Sequence, residues 1–316
     1  MEKHDLGMGL SAISPSKRAR SLVEGARLVQ YAVEQGIGLL DAAESYQCYL
    51  YMRKALRDLA PSFSQNALPR PVIVSKSFAP DAGGMLRAIE ECRSALELDQ
   101  IDIFMLQDVG QALDFENRRA AWGCLQDAKA KGLIKAAGIS TRCTDTALAA
   151  AKTPGMDYIF SRINFKGLGI GAGGAAGERE DMESAILCAA ENGVDVYATG
   201  VLGGGELIND YSEALGYASD IKGAAGAIIG MGCKQDVDDA VAFIEGRLPP
   251  GYNPATSIMR MFVDHSLCIR CGECVRYCTD SAFSFGDDGF PFADPEKCVR
   301  CGFCLLACPS RALLFL

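Results

Sequence analysis

Eight cysteines after residue 260 fall into two runs of identical spacing. Cys268, Cys271, Cys274 and Cys278 read C-x2-C-x2-C-x3-C. Cys298, Cys301, Cys304 and Cys308 repeat that pattern 30 residues on, and Pro309 follows the last. The surroundings repeat too: IRCGEC matches VRCGFC, and Ala282 falls opposite Ala312. Duplication at this level is hard to obtain by chance. Three thiolates at such short intervals can cap one face of an iron–sulfur cube, with a fourth ligand arriving from elsewhere. A zinc site closes with four ligands, usually as two separated C-x2-C pairs. It has no use for a third cysteine at the same interval in both halves. A disulfide framework fits least, because MEKHDLG at the N-terminus has no signal-type apolar core. The spacing therefore predicts a segment that moves single electrons.

The two runs resemble those of bacterial ferredoxins that hold two [4Fe–4S] clusters. By that resemblance Cys268, Cys271, Cys274 and Cys308 hold one cluster, and Cys298, Cys301, Cys304 and Cys278 hold the other. One departure is Thr279, where such a run often carries proline, so that turn is less rigidly set.

The preceding 250 residues follow a different rule. Short apolar runs (GMGLSAI, IGLLD, PVIVSK, IDIFML, IKAAGIS, DYIFSRI, VDVYATG and AAGAIIG) alternate with segments of helical periodicity such as SLVEGARLVQYAVEQG and MLRAIEECRSALEL. Several helical segments stop at a glycine, among them Gly36, Gly132 and Gly193, as expected just past a helix C-terminus. Eight strands alternating with eight helices over this length predict an α/β fold of (β/α)8 TIM-barrel type; a doubly wound open sheet is the alternative. RLPPGYNPATS has adjacent prolines and no periodicity, so it reads as a linker. The expected organisation is a barrel over 1–246, a linker over 247–258 and a small α+β two-cluster domain over 259–316.

Composition narrows the partners. A formal charge of −9 with no Lys/Arg cluster argues against nucleic acid. The longest uncharged apolar run is too short for a membrane-spanning helix. Six further cysteines (Cys48, Cys92, Cys124, Cys143, Cys188 and Cys233) are scattered singly and suit buried, reduced thiols in a cytoplasmic protein.

Chemistry in such barrels sits at the C-terminal ends of the strands. There the second strand runs into DAAESY with Asp41 and Tyr46, the third ends at Lys76, and the fourth ends at Gln107. A tyrosine beside an ammonium is a sensible proton donor, because the cation stabilises the phenolate, and a carboxylate can hold the lysine in place. These segments resemble the aldo-keto reductase family. DAAESY is similar to its D-T-A-x-x-Y, Lys76 matches its strand-end lysine, and KAKGLIKAAGIS is similar to its K-x-x-G-x-I-x-x-x-G-x-S. The likeness extends over about residues 5 to 246. It implies Tyr46 as general acid, Lys76 as its partner and Asp41 as the carboxylate orienting Lys76. It further implies Ser140 and Asn164 as contacts of a nicotinamide carboxamide. Gly203, Gly204, Gly205, Gly230 and Gly232 would present backbone amides to cofactor phosphates.

This chain departs from that pattern in two places. Gln107 stands where most members have histidine, and the two histidines, His4 and His265, lie at no strand end. Glutamine can donate an N–H to a substrate oxygen but cannot shuttle a proton. Thr199 occupies the place of an aromatic that stacks on nicotinamide, and near the expected 2′-phosphate only Lys234 is found, without an adjacent arginine. The segment GLGIGAGGAAGE contains G-x-G-x-x-G as Gly169, Gly171 and Gly174. Six glycines match several spacings, however, and a lid over the barrel mouth is the better reading.

Taken together, the residues predict an iron–sulfur oxidoreductase. It would reduce a small carbonyl or conjugated substrate with Tyr46 as proton donor, using NADP(H), with two [4Fe–4S] clusters relaying electrons. The alternative is an electron-transfer protein whose barrel is a docking scaffold for a redox partner protein, or takes electrons only from the clusters.

Overall fold

A computed structural model describes residues 1–2, 5–15, 20–254, 260–278, 281–295, 297–298 and 303–315. In chain order the first part comprises β1 (Leu6–Gly9), α1 (Leu22–Glu34), β2 (Leu39–Asp41), α2 (Tyr49–Ser64), β3 (Val72–Ser77), α3 (Ala82–Leu96), β4 (Ile101–Leu106), α4 (Ala112–Asn117), α5 (Arg119–Ala130), β5 (Ile134–Thr141), α6 (Thr144–Ala150) and β6 (Tyr158–Arg162). A small hairpin, β7 (Gly171–Ala172) and β8 (Ala175–Ala176), follows. Then come α7 (Arg179–Glu191), β9 (Asp195–Thr199), α8 (Tyr211–Asp220), β10 (Ala224–Gly230) and α9 (Lys234–Ile244). Eight of these strands close into a parallel barrel in the order β1-β10-β9-β6-β5-β4-β3-β2, which is the TIM-barrel architecture the alternation predicts.

Local chemistry accounts for the element ends. α1 starts with a capping box, in which Ser21 Oγ accepts from Glu24 N at 3.2 Å and Glu24 Oε2 accepts from Ser21 N at 2.9 Å. Asp81 caps α3 by accepting from Gly84 N at 2.8 Å. Gly36, Gly132 and Gly193 all adopt positive φ just past their helices. The first apolar run departs from expectation. The strand ends at Gly9, and Leu10–Ile13 forms a 3-10 turn whose buried Leu10 and Ile13 share one face.

Two apolar layers enclose the strands. Ile159 and Ile163 belong to the large core between barrel and helices. Leu39, Val74, Ile103, Met105, Phe160 and Ile228 fill the barrel interior, with Ala136, Tyr158 and Tyr197 packed against them. Space inside is tight: a Cβ on Gly138 would lie 2.3 Å from Tyr158 O, so β5 can pass only as glycine there. Strand side chains alternate between the two faces. The inward set therefore continues upward to Asp41, Lys76, Gln107, Ser140, Arg162, Thr199 and Gly230, at or just past the C-terminal ends of their strands.

After the barrel come β11 (Met261–Val263), α10 (Glu273–Tyr277), β12 (Phe283–Phe285), β13 (Pro291–Ala293), α11 (Phe303–Ala307) and β14 (Leu313–Phe315). β11 pairs antiparallel with β14, and β12 with β13. The internal repeat is visible in the backbone. Asp264 N bonds Ala312 O and Asp294 N bonds Ala282 O, both at 2.7 Å. Cys268 N and Cys298 N each bond the carbonyl four residues before them, at 3.0 and 2.9 Å. Among the described residues, no helix is long and apolar enough to cross a membrane.

Candidate active site and cluster module

Asp41 and Lys76 close the inner ends of β2 and β3 and are buried, at 5% and 3% exposure. Lys76 Nζ pairs with Asp41 Oδ1 and donates to Ala42 O at 2.9 Å. Burial pushes the Asp41 carboxyl up, and the Lys76 ammonium pulls against it. A buried ion pair of this kind is expensive to break from one side, because the survivor is left desolvated and unpaired. Tyr46 ends a 3-10 turn, Glu44–Tyr46, that follows β2 directly, and Gln47 reverses the chain with φ of 55°. The turn brings the Tyr46 ring to 5.3 Å from Lys76 Nζ, centroid to nitrogen, while Phe160 lies at 5.6 Å from the same nitrogen. Phenol, ammonium and carboxylate are thus in sequence at one place, above an aromatic floor.

Gln107 is buried beside them, its amide within reach of the Ser45 hydroxyl: 3.1 Å from Nε2 and 3.3 Å from Oε1. Its backbone is gripped by a residue that the strand pattern does not reveal. Arg118, 5% exposed, donates from Nη1 to Gln107 O and from Nη2 to Ser77 O, both at 2.9 Å. Burial holds the Arg118 guanidinium below its ordinary range, with Asp114 and Asp108 opposing. One side chain therefore ties the ends of β3 and β4 together beneath the site.

The residues expected around a nicotinamide fall into two groups. Ser140 stands on the inward face of β5, and its Oγ accepts from Asp108 N at 2.8 Å, leaving its own proton available. Asn164 is fully buried and already spans two backbone segments. Its Nδ2 donates to Leu168 O at 3.0 Å and Gly200 O at 3.3 Å, and its Oδ1 accepts from Leu168 N at 2.9 Å. Gly203, Gly204 and Gly205 form a tight turn after β9, all with positive φ, a conformation that glycine adopts without strain. Gly230 ends β10.

Gly232 and Cys233 offer their N–H groups to the Asp236 carboxylate, at 2.7 and 3.2 Å, so the start of α9 is capped from within. Lys234 is likewise engaged, donating to Tyr31 Oη at 2.7 Å and Asp238 Oδ2 at 2.9 Å. An arginine does approach from far away in sequence: Arg20, just before α1, donates to Gly232 O, and its Nε is buried with no hydrogen-bond partner among the described residues. An orphaned guanidinium nitrogen beside the start of α9, a glycine turn after β9 and the free Ser140 proton suit a phosphorylated dinucleotide.

The glycine-rich segment after β6 is a short hairpin rather than a dinucleotide loop. It is tied to the end of β5 by Gly171 N donating to Arg142 O at 2.9 Å. Gly173 and Gly174 approach Asp145 and Gln111, so its tip reaches toward the loops after β4 and β5.

In the cysteine-rich part, Cys274 and Cys304 are buried with Val263, Phe283, Leu305 and Leu313, and Cys268, Cys278 and Cys308 pack against that cluster. Backbone N–H groups point at sulfur in a repeated way. Ala282 N reaches Cys278 Sγ at 3.2 Å and Ala312 N reaches Cys308 Sγ at 3.3 Å, from turns whose Ser281 and Arg311 both have positive φ. Arg270 N approaches Cys268 Sγ at 3.4 Å. N–H donors aimed at sulfur favour thiolates and are one of the protein's levers on cluster potential. Burial, with Cys268 and Cys271 nearby, pushes the Cys274 thiol up to about 11, so a bound metal centre has to displace that proton. Cys271 is exposed, and Cys298 is half-buried. Cys301 lies outside the described residues, as does His4. Among the described residues, no group of three or more His, Cys, Asp or Glu side chains closes on a position for a single metal ion. The duplicated thiols and their N–H donors suit clusters held by Cys268, Cys271, Cys274, Cys278, Cys298, Cys301, Cys304 and Cys308.

Comparison with known proteins agrees with the fold and with the cysteine-rich segment. The sequence model of the aldo/keto reductase family matches residues 5–230, and that of the 4Fe-4S dicluster domain matches residues 267–312. The chain belongs to the aldo/keto reductase family and carries a 4Fe-4S dicluster domain after the barrel. Among solved structures it is similar to a Pseudomonas aeruginosa protein described as an aldo-keto reductase, at 23% identity and a TM-score of 0.61, over 78% of this chain and 90% of that one. It is also similar to an aldo-keto reductase from Bacillus halodurans in its holo form (17%, TM-score 0.60, 80% and 88%). A third is a Bombyx mori aldo-keto reductase in complex with NADP (17%, TM-score 0.56, 78% and 85%). At these identities the likeness concerns the fold. No curated protein matches the chain.

Proposed function

We propose that the protein is an iron–sulfur oxidoreductase that reduces a small carbonyl or conjugated substrate at the barrel mouth, using NADP(H). The observation that carries this reading is the chain of Asp41, Lys76 and Tyr46 on the inner rim of the barrel, with Lys76 Nζ 5.3 Å from the Tyr46 ring centre. When bound, a nicotinamide would supply the hydride, and with it both electrons of the reduction, while the clusters would relay single electrons outside that step. The residues of the chain do the rest. Tyr46 gives its phenolic proton to the substrate oxygen. Lys76 stabilises the phenolate that remains, and Asp41 keeps the ammonium in place. The Gln107 amide, with the second hydrogen on Nε2 not committed to Ser45, donates to the same oxygen and polarises the double bond. Arg20 supplies the positive charge expected at a 2′-phosphate.

Supporting the reading, the NADP-bound Bombyx mori enzyme shares the barrel at a TM-score of 0.56. A second reading, in which the barrel works without nicotinamide beside a redox partner protein, draws on the prior engagement of Asn164 and Lys234. Anaerobic titration of the cluster-loaded protein with NADPH and NADH separates the two. Saturable NADPH binding is the expected result. No binding of either nucleotide would retire the hydride reading and favour the second.

A further inference from the structure

Arg162 is the last residue of β6, and nothing in the proposed chemistry uses it. Tyr158 and Phe160, four and two residues before it, face the barrel interior, while Ile159 and Ile163 face the helices. Alternation therefore carries Arg162 inward, one step above Phe160, whose ring lies 5.6 Å from Lys76 Nζ. The arginine stem runs past Gly200 at the end of β9. A Cβ there would lie 3.1 Å from Arg162 Cγ and 3.6 Å from Cζ, and Gly200 holds φ of 65°. Glycine at this position leaves the guanidinium its channel.

One nitrogen of the guanidinium is left without a protein partner. Its Nη1 is buried and has no hydrogen-bond partner among the described residues. Three carboxylates near the strand ends are committed elsewhere: Asp41 to Lys76, Asp108 to Arg142, and Glu44 to the Ser77 hydroxyl. A buried cationic N–H on the inner face of the barrel, at the C-terminal end of its strand, needs an acceptor, and the planar fork of arginine fits two oxygens of one anion.

We propose that Arg162 anchors a carboxylate of the substrate, so the substrate class is a small carboxylic acid carrying the reducible double bond elsewhere in the molecule. This rests on the reading of the barrel mouth as a reductase site, but the anion site is testable apart from turnover. A cofactor phosphate could supply the same oxygens, and the test separates the two sources.

The experiment is calorimetric titration of the cluster-loaded protein with glutarate, an unreactive dicarboxylate, and separately with NADPH, in wild type, Arg162→Gln and Arg162→Lys. Expected is saturable glutarate binding that weakens about ten- to hundredfold in Arg162→Gln and only in part in Arg162→Lys, with NADPH affinity unchanged. Thermal unfolding of both variants checks that they fold. If Arg162→Gln weakens NADPH binding and leaves glutarate untouched, the anion is the cofactor's and the proposal falls. If wild type binds NADPH but no glutarate, the proposal falls while the reductase reading stands. If glutarate binds through Arg162 and no nicotinamide binds, the anion site stands and the hydride reading fails.

Discussion

The ammonium of Lys76 lies 5.3 Å from the centre of the Tyr46 ring and is paired on its other side with the Asp41 carboxylate. That relationship joins residues from β2, the turn after it and β3, and it sets a tyrosine ring beside a buried ammonium at the C-terminal ends of the strands.

Replacing Tyr46 by phenylalanine keeps the ring and removes the proton. Loss of a positioned general acid costs about 10²- to 10⁴-fold in rate. Steady-state kinetics of Tyr46→Phe should show that fall in kcat with NADPH affinity and iron content unchanged. Unaltered turnover would remove Tyr46 from the mechanism.

Lys76→Met leaves Asp41 buried without its partner. Breaking a buried pair from one side destabilises by about 3–5 kcal/mol. Urea unfolding should show a lower midpoint, and that shift multiplied by the m value should equal this loss. A loss below about 1 kcal/mol, the range of exposed pairs, would mean that water reaches the pair freely.

Arg118→Met removes the donors that bind Gln107 O and Ser77 O. Two charge-assisted hydrogen bonds to backbone carbonyls are lost, so a stability loss of about 2–4 kcal/mol is expected. Because Gln107 loses its anchor, kcat/KM should fall further than stability at assay temperature explains. Preserved kcat/KM would make Arg118 a purely structural residue.

Arg20→Gln tests the distant arginine beside Gly232. A lost guanidinium–phosphate contact should weaken NADPH about ten- to hundredfold and leave NADH unaltered. Equal weakening of both nucleotides would place Arg20 away from the 2′-phosphate.

Cys271→Ala should lower iron content to about half, because one of two four-iron clusters loses a ligand. Full removal of iron with a chelator has a structural consequence as well. The described buried hydrophobic residues of this part are Val263, Cys274, Ala282, Phe283, Cys304, Leu305, Ala312 and Leu313, and two of those eight are cysteines. So small a core rarely holds by itself. Hydrogen exchange should show residues 260–315 opening while the barrel stays protected. Retained protection would show that the apolar core suffices without metal.

Local periodicity and covalent spacing made part of this protein readable from its residues alone. Eight apolar runs at strand period, helices stopped by Gly36, Gly132 and Gly193, and duplicated cysteine runs each signal their structure within a short window, so the barrel and the cluster segment were both legible. Asp41, Tyr46, Lys76 and Gln107 were readable because strand ends converge in this fold. Arg162 carried a signal too, the alternation from Tyr158 and Phe160, although a strand-end arginine says nothing by itself about having a partner. The remainder depends on pairs remote in sequence, which meet only once the chain has folded. Arg20 reaches Gly232 across 212 residues, and Arg118 reaches back 41 residues to Ser77. Asn164 and Lys234 are claimed by hydrogen bonds that no spacing announces. Which side chains meet at the mouth follows from barrel closure, and which donors remain unsatisfied there follows from burial, a property of the packed whole.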